Sequence, residues 1–408
     1  MSTSTKMRVF RVSLWTVLSI FVLGAGSYLI VIAFAPIPVT QAQLIPISPI
    51  LSDAATIDFP AQGSGGTLIR DLPRSEFHYG SEEPQAIASI TKLVTALVVL
   101  DKFPLALGES GPAITLSSAD QRIYQRHVAQ NGSVTRVVSG WKFSQREMLE
   151  IMLIPSSNNY ADSLAIWAFG SEDAYVKAAT LWLNEHGLVQ TRVVDANGLD
   201  EANSSTTTDL LALGALALDN PVLAEIVNTE QLNNARLGPL SNSNILLRQY
   251  SDFSGLKTGT TSVSGACLLW SVDFEVQGQK HTMIGVSLGS KNQKILAPLV
   301  YQTYLSASDN FSKLLLIESG TPLAYFETAW GESVRVEAAE TLNALVYGLA
   351  EFRATTLVPE QKTIEDGAVL GEIRFVFEGE EYRTELIANG SIEGPDFWWK
   401  LLNPGQLW

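Results

Sequence analysis

The sequence has few of the residues that form disulfide bonds or bind metals. Its 408 residues include one cysteine, Cys267, so no internal disulfide can form. The four histidines are scattered, with no HExxH motif and no Cys/His cluster, and we therefore expect neither a metal site nor a cofactor. Basic residues are also scarce, because 27 Lys and Arg face 42 Asp and Glu, giving a net charge of −15. A chain this acidic is not expected to bind nucleic acid.

One long apolar run lies near the N-terminus. Residues 12–35 carry no charge and are long enough, at 1.5 Å per residue, to cross a hydrocarbon core of about 30 Å. Three basic residues fall within residues 1–11 and the next is Arg70, so the positive-inside rule places residues 1–11 in the cytoplasm. A cleaved signal peptide is the alternative, but Pro36 directly after the run suits cleavage poorly. We predict a single anchor in the plasma membrane, with the rest of the chain on the extracellular or periplasmic side.

Composition divides the remaining chain into three parts. Prolines recur in residues 36–53, which predicts a stiff tether. Residues 54–317 mix long apolar helical segments with strand-like runs, which indicates an α/β or α+β domain. Short alternating runs dominate residues 318–408 and include a hairpin pattern around Gly379, so we expect a separate, small β-rich domain.

Apolar spacing places two helices and a loop. Over residues 88–102 apolar side chains surround the helix axis, which predicts a helix buried on nearly all sides. Ser144 and Glu147 match a capping box that begins another helix, and Pro155 ends it, so that a loop follows directly. Further along, two neighbouring strands joined by a polar turn are predicted over residues 256–272 and 282–288.

Three short polar motifs lie on these elements. They are S-x-x-K at Ser89 and Lys92 on the buried helix, S-x-N at Ser156 and Asn158 in the loop, and K-T-G-T at Lys257, Thr258, Gly259 and Thr260 in the first strand. Each motif alone carries little information, since S-x-x-K also occurs at Ser139 and Ser254, where it contains glycine and precedes no buried helix. The chain has no G-x-S-x-G elbow, and a serine nucleophile without a histidine partner commonly uses lysine as its base.

The first two motifs can supply a nucleophile and its base. Ser89 and Lys92 are nearly one helical turn apart, so they share a face and their polar atoms can meet. A partly desolvated amine beside another cation favours its neutral form, and such a lysine can deprotonate a serine. Ser156 can relay a proton to the leaving amine, and the amide of Asn158 can hold the substrate backbone.

The third motif can bind an extended substrate. Gly259 leaves no side chain over the cleft, so a peptide can lie along the strand. Lys257, Thr258 and Thr260 can hold a terminal carboxylate. The backbone N–H groups of Ser89 and Thr260 are candidate oxyanion donors, and one such donor can be worth about 3–4 kcal/mol.

In this order the motifs resemble those of the low-molecular-mass penicillin-binding proteins, a family of serine-type D-alanyl-D-alanine carboxypeptidases. The likeness covers roughly residues 80–305 and is strongest around the three motifs and a turn that begins at Asp195. It implies a penicillin-recognising fold, in which a five-stranded antiparallel sheet packs with helices, and an appended β domain. Residues 54–317 would then be the catalytic domain.

The resemblance also implies an activity and its partners. Ser89 would attack the carbonyl between the last two D-alanines of a peptidoglycan stem pentapeptide, forming an acyl-enzyme that water hydrolyses. β-Lactam antibiotics would acylate the same serine and inhibit the enzyme. Endopeptidase or transpeptidase activity of the same residues stays open.

Two other functions remain as alternatives, and the sequence departs from the family pattern in two places. A β-lactamase or esterase would need a deacylating glutamate between the second and third motifs, and none of Glu172, Glu185 and Glu201 has the expected neighbours. A non-catalytic cell-wall-binding relative would have lost a catalytic group.

The family's first hairpin is not evident in residues 60–82, and Lys291 or Lys294 is a candidate for an additional carboxylate-binding cation.

Overall fold

The computed structural model of the protein describes residues 3–408, with side chains from Phe10 onward. Helix α1 (Thr3–Ala33) contains most of the predicted apolar run. Its segment Phe10–Ala33 has a mean hydropathy of 2.2 and is long and apolar enough to cross a membrane. Two short strands follow, β1 (Ala42–Leu44) and β2 (Ile50–Leu51).

The chain forms two compact units. One is Thr56–Asn310, and the other combines the chain up to Ala55 with Phe311–Trp408. The sequence predicted that the domain of residues 54–317 ends at residue 317 and that the C-terminal domain begins at residue 318. Residues 311–317, however, form a strand that pairs inside the second unit. A single strand carries no signal of the sheet to which it belongs, which is why this boundary was placed seven residues too late.

The larger unit is built from eleven strands and nine α-helices. Its strands are β3 (Ser64–Ile69), β4 (Phe77–Tyr79), β5 (Gln85–Ala86), β6 (Ala113–Thr115), β7 (Lys142–Ser144), β8 (Ser204–Ser205), β9 (Gln231–Asn234), β10 (Gly238–Ser241), β11 (Phe253–Thr261), β12 (Gly265–Val276) and β13 (Gln279–Ser290). Its helices are α2 (Thr91–Lys102), α3 (Ser118–Ala129), α4 (Gln145–Leu153), α5 (Asn158–Phe169), α6 (Glu172–Glu185), α7 (Thr207–Asp219), α8 (Pro221–Val227), α9 (Leu246–Gln249) and α10 (Gln293–Ser308).

A five-stranded antiparallel sheet with the order β11-β12-β13-β3-β4 organises this unit, as the resemblance implied. Adjacent residues of β12 face opposite sides of the sheet. Leu269 belongs to the core on the side of α7, whereas Trp270 packs with Phe253, which also contacts Tyr304 of α10. The β3–β4 hairpin, which was not evident from residues 60–82, therefore lies at one edge, and β11 forms the other edge.

The predicted buried helix is confirmed. A 3₁₀ turn over Ala88–Ile90 leads into α2, and the first ten residues of α2 are buried. The capping box of Ser144 and Glu147 begins α4 as predicted. The single strand predicted over 256–272 was wrong, because residues 262–264 form a turn that separates β11 from β12. Continuous apolar patterning on both sides of a short turn hid this break.

The second unit is rich in β-structure. It contains β14 (Phe311–Ile317), β15 (Pro322–Glu327), β16 (Ser333–Ala338), β17 (Leu342–Tyr347), β18 (Glu351–Leu357), β19 (Val369–Phe377), β20 (Glu380–Asn389) and the short helix α11 (Phe397–Leu402). Seven strands form a sheet in the order β1-β15-β16-β20-β19-β18-β2, and β14 pairs with β17. The hairpin predicted around Gly379 is β19–β20.

The interpretation of residues 36–53 as a tether is corrected by this sheet. Ala42 pairs with Phe326, and Leu51 pairs with Glu351, so the segment supplies both edge strands of the β-rich unit. An unpaired edge strand carries backbone N–H and C=O groups that lack hydrogen-bond partners. β1 provides such partners for β15, and β2 provides them for β18. Proline content alone did not reveal this pairing, because the strands lie in the proline-free stretches after Pro38 and after Pro49.

Gly285 tests how tightly the central sheet packs. It lies opposite Trp270, and a Cβ at residue 285 would be 2.0 Å from the Trp270 Cζ2 atom. We expect Gly285→Ala to lower the free energy of unfolding by about 1–3 kcal/mol, since the buried indole cannot move freely. Urea denaturation followed by circular dichroism measures it. In the double variant with Trp270→Leu the loss should be smaller than the sum of the single losses, and additive losses would contradict the packing argument.

Candidate active site

Ser89 lies on the 3₁₀ turn that precedes α2, where its side chain is half-buried. The preceding residue, Ala88, has φ +47°, a left-handed conformation that costs a non-glycine residue about 1–3 kcal/mol. Gly198 approaches this turn so closely that a Cβ there would lie 2.0 Å from the Ala88 carbonyl oxygen. The turn is thus held in an unusual conformation by its neighbours, with the serine at its surface.

The Lys92 amine is enclosed by polar atoms. Its Nζ lies 2.8 Å from Ser89 Oγ, 2.7 Å from Asn158 Oδ1 and 2.6 Å from the backbone oxygen of Asn197. The side chain is fully buried. These contacts unite the first two sequence motifs, as predicted, and add Asn197, which lies outside all three motifs.

Burial changes the acid–base properties of this lysine. Desolvation penalises the ammonium form and lowers the pKa of Lys92 from 10.5 to about 7, although Asp162 and Asp195 act in the opposite direction. At neutral pH a substantial fraction of Lys92 is therefore unprotonated. In that state its lone pair can accept a hydrogen bond from the Ser89 hydroxyl.

The second motif lies in the loop between α4 and α5. Ser156 is buried and adopts φ +62°, again a strained conformation for a residue with a side chain. The loop is held by Ser133, whose backbone oxygen accepts from Asn158 N at 2.8 Å and whose hydroxyl donates to the Pro155 oxygen at 3.0 Å. Asn158, the first residue of α5, then contacts Lys92.

The third motif lies on the edge strand β11. Lys257 is almost fully buried, and its Nζ donates to the Thr258 backbone oxygen at 3.1 Å and contacts Ser243 Oγ at 3.4 Å. Ser243 in turn hydrogen bonds with the Thr258 hydroxyl at 2.7 Å. Desolvation, and repulsion from the charge of Lys92, lower the pKa of Lys257 well below its usual value.

Gly259 brings this strand against the nucleophile. A Cβ built at residue 259 would lie 2.8 Å from the Ile87 oxygen and 3.0 Å from Ser89 N. Only glycine therefore permits this approach without a shift of the backbone. The next residue, Thr260, is exposed, and it directly follows the point at which β11 meets the turn that carries Ser89.

The residue that contacts the third motif is Gln293, rather than Lys291 or Lys294, the two candidates for an additional carboxylate-binding cation. Gln293, which lies between them in sequence, donates from Nε2 to the Gly259 oxygen at 3.0 Å and contacts Thr260 Oγ1 at 3.3 Å. Lys291 and Lys294 are exposed and line two different cavities. Within residues 3–408 no three His, Cys, Asp or Glu side chains gather as they would around a metal ion.

Sequence reasoning missed the residues that support the motifs. Asn197 contacts Lys92, Asp162 contacts Asn197, and Ser243 contacts Lys257. In each pair the two residues are distant from one another in the sequence. The turn at Asp195 was noticed as part of the family likeness, and it was the one available signal for Asn197. Asp162 and Ser243 left none.

Comparison with known proteins agrees with this geometry. A family model described as D-alanyl-D-alanine carboxypeptidase matches residues 78–292, which is more than half of the chain. The chain is 33% identical over 215 residues to a D-alanyl-D-alanine endopeptidase of Pseudomonas aeruginosa, a match that spans 50% of this chain and 66% of the relative. It is 29% identical over 272 residues to a D-alanyl-D-alanine endopeptidase of Escherichia coli, covering 64% and 78% of the two chains.

Solved structures show the same fold. The crystal structure of penicillin binding protein 5 from Haemophilus influenzae superimposes with a TM-score of 0.57 at 18% identity. The superposition covers 84% of this chain and 100% of that one. The predicted penicillin-recognising fold, with a β-rich region after it, is therefore confirmed. With its three motifs brought together around Ser89 and more than half of its length matched by the family model, this chain belongs to the D-alanyl-D-alanine carboxypeptidase family.

Proposed function

We propose that this protein is a serine-type D-alanyl-D-alanine carboxypeptidase that removes the terminal D-alanine from peptidoglycan stem pentapeptides. The observation that carries the proposal is the 2.8 Å contact between Ser89 Oγ and the buried Lys92 amine. A serine hydroxyl needs a base near its own operating pH, and an amine with a pKa of about 7 meets that requirement.

The reaction then begins with proton transfer from Ser89 to neutral Lys92. The Ser89 oxygen attacks the carbonyl of the penultimate D-alanine, while the backbone N–H groups of Ser89 and Thr260 stabilise the oxyanion. When the tetrahedral intermediate collapses, the amine of the terminal D-alanine takes a proton from Lys92, with Ser156 as the relay, and leaves. Water then hydrolyses the acyl-enzyme and Ser89 recovers its proton.

The third motif suits the carboxylate of the substrate. Lys257, Thr258 and Thr260 carry an amine and two hydroxyl groups on the edge strand, and Gly259 lets this strand approach the turn that carries Ser89. An extended peptide added to this edge would therefore lie beside the nucleophile. Asn158 can hold the substrate backbone beside Lys92. A β-lactam antibiotic carries a carboxylate next to a reactive amide, so it would enter the same cleft and acylate Ser89.

Endopeptidase activity is the second candidate, and the names of the two bacterial relatives favour it. The chemistry at Ser89 would be the same, but the leaving amine would belong to a neighbouring stem peptide.

A β-lactamase has less support. Glu172 lies 4.0 Å from Arg126, while Glu185 and Glu201 are exposed, so none of these glutamates makes a contact that suits deacylation of Ser89. A non-catalytic wall-binding relative is disfavoured by the complete set of motifs.

We also propose that α1 anchors the protein in the plasma membrane. Its segment Phe10–Ala33 is the apolar span, and the basic residues before it favour a cytoplasmic N-terminus. The catalytic unit would then lie outside the cytoplasm, where peptidoglycan is. Residues 12–35 were assigned to this anchor from sequence, and the end of α1 at Ala33 agrees with that extent to within two residues.

Replacement of Ser89 tests the activity directly. We expect Ser89→Ala to abolish labelling by a fluorescent penicillin and to reduce D-alanine release from a diacetylated tripeptide ending in D-Ala-D-Ala at least about 1,000-fold, because the nucleophile is lost. Ser139→Ala is the matched control, since Ser139 begins another S-x-x-K motif but is exposed on a turn. Unchanged labelling of Ser89→Ala would refute the proposal. Cleavage of a cross-linked dimer without D-alanine release would assign the endopeptidase activity instead.

The pKa of Lys92 gives a second test. In protein labelled with ¹³C at lysine Cε, we expect one resonance to titrate near pH 7, because burial destabilises the ammonium form. Lys92→Met should remove that resonance. Since only the neutral amine acts as the base, the rate of acylation by penicillin should rise as the pH increases from about 6 to 8. A Lys92 midpoint near 10.5 would exclude this residue as the base at neutral pH.

Membrane fractionation tests the anchor. We expect the full chain to stay in the membrane pellet after alkaline carbonate extraction, and externally added protease to degrade the catalytic unit. Leu18→Arg with Leu23→Arg should release the protein, because each arginine at the centre of a span costs about 2.5–3.5 kcal/mol. Recovery of wild-type protein in the soluble fraction, with an N-terminus after residue 35, would instead show that the segment is a cleaved signal peptide.

A further inference from the structure

A buried carboxylate lies behind the proposed base. Asp162 follows Asn158 by four residues on α5, so the two side chains share a helix face. Asn158 contacts Lys92, whereas Asp162 is fully buried one turn further along. A charged side chain in such a position is strongly destabilising unless it is paired and hydrogen-bonded.

Asp162 has partners on both of its oxygens. Its Oδ2 accepts from Arg126 Nη2 at 2.7 Å and from His127 Nε2 at 2.6 Å, both on α3. Its Oδ1 accepts from Asn197 Nδ2 at 2.7 Å. The carboxylate therefore joins α3, α5 and the loop that contains Asn197.

The contact with Asn197 leads directly to the base. The side chain of Asn197 is held by Asp162, and its backbone oxygen accepts from Lys92 Nζ at 2.6 Å. Asp195 fixes the other side of this loop, because its Oδ1 accepts from the backbone N–H of Asn197 at 3.1 Å and of Gly198 at 2.6 Å. Movement of Asn197 would thus change the orientation of the lysine amine.

We propose that Asp162 is a positioning residue of this site, which holds Asn197 against Lys92 and places a fixed negative charge behind the amine. The proposal rests on the proposed function, in that Lys92 is taken as the base. The geometry gives Asp162 two effects that can be separated. Its hydrogen bond orients the lysine through Asn197, and its charge opposes the desolvation that favours the neutral amine.

Charged groups from several elements act on Lys92. Asp162 on α5 and Asp195 in the loop stabilise the ammonium form of Lys92. On β11, the charge of Lys92 lowers the pKa of Lys257. Arg126, with a side chain 48% exposed, neutralises Asp162 from the solvent side. His127 on α3 is buried and donates to the same carboxylate oxygen, and Glu172 on α6 lies 4.0 Å from Arg126.

Two variants with opposite predicted effects test this role. Asp162→Asn keeps a side chain of the same size but removes the charge, so the midpoint of the Lys92 ¹³Cε titration should fall by about one pH unit. Arg126→Gln leaves Asp162 less neutralised, so the midpoint should rise. Glu185→Gln is the matched control, because it removes an exposed carboxylate at the opposite end of α6 from Glu172, and it should leave the midpoint unchanged.

The pH range over which the rate of penicillin acylation rises should move with these midpoints. It should shift to lower pH in Asp162→Asn and to higher pH in Arg126→Gln. Thermal unfolding establishes that each variant is folded, and the Arg126 variant, altered at a half-exposed side chain, keeps the test available if Asp162→Asn does not fold. Equal Lys92 midpoints in wild type and the variants would overturn the proposal. Because the titration needs no catalysis, failure of Ser89-dependent labelling would refute the proposed function separately.

Discussion

The Lys92 amine has no exposure to solvent and exchanges its hydration for three oxygen atoms, those of Ser89, Asn158 and Asn197. An ammonium ion buried among apolar residues is unstable unless such acceptors surround it. Each acceptor comes from a different part of the chain, so the 3₁₀ turn before α2, the helix α5 and the loop after α6 must all be in place before the lysine has its partners. The requirement for this polar cage ties the local geometry of the site to the fold of the whole unit.

Backbone strain is found beside the same cage. Ala88, with φ +47°, precedes the nucleophile, and Ser156, with φ +62°, lies in the loop that leads to Asn158. Each costs about 1–3 kcal/mol, which the surrounding structure must offset. Around Ala88 the surrounding atoms belong to Gly198 and Gly259, where a Cβ would overlap the 3₁₀ turn. The two glycines therefore allow the strained turn to be enclosed tightly enough to persist.

How far the sequence predicted the protein depends on the range of each interaction. The helix over 88–102, the capping box of α4 and the β19–β20 hairpin depend on residues close together in sequence, and all were predicted. The roles of Asp162 and Ser243 depend on tertiary contacts with residues 14–36 positions away, and no local pattern marks them. The tether was misinterpreted for the same reason, since the strand at Ala42 pairs with a strand near residue 326.

The two buried lysines differ in their counter-charges, and this difference supports their separate roles. Lys92 faces two carboxylates, Asp162 and Asp195, which keep its pKa near 7 despite complete burial. Lys257 has a hydroxyl and a backbone oxygen as partners, and no carboxylate raises its pKa, which lies well below the usual value. A bound carboxylate would supply the charge that Lys257 lacks, because an anion within about 4–6 Å stabilises an ammonium group. The surroundings of Lys257 therefore suit the binding of an anion, whereas those of Lys92 suit the proton transfer proposed for it.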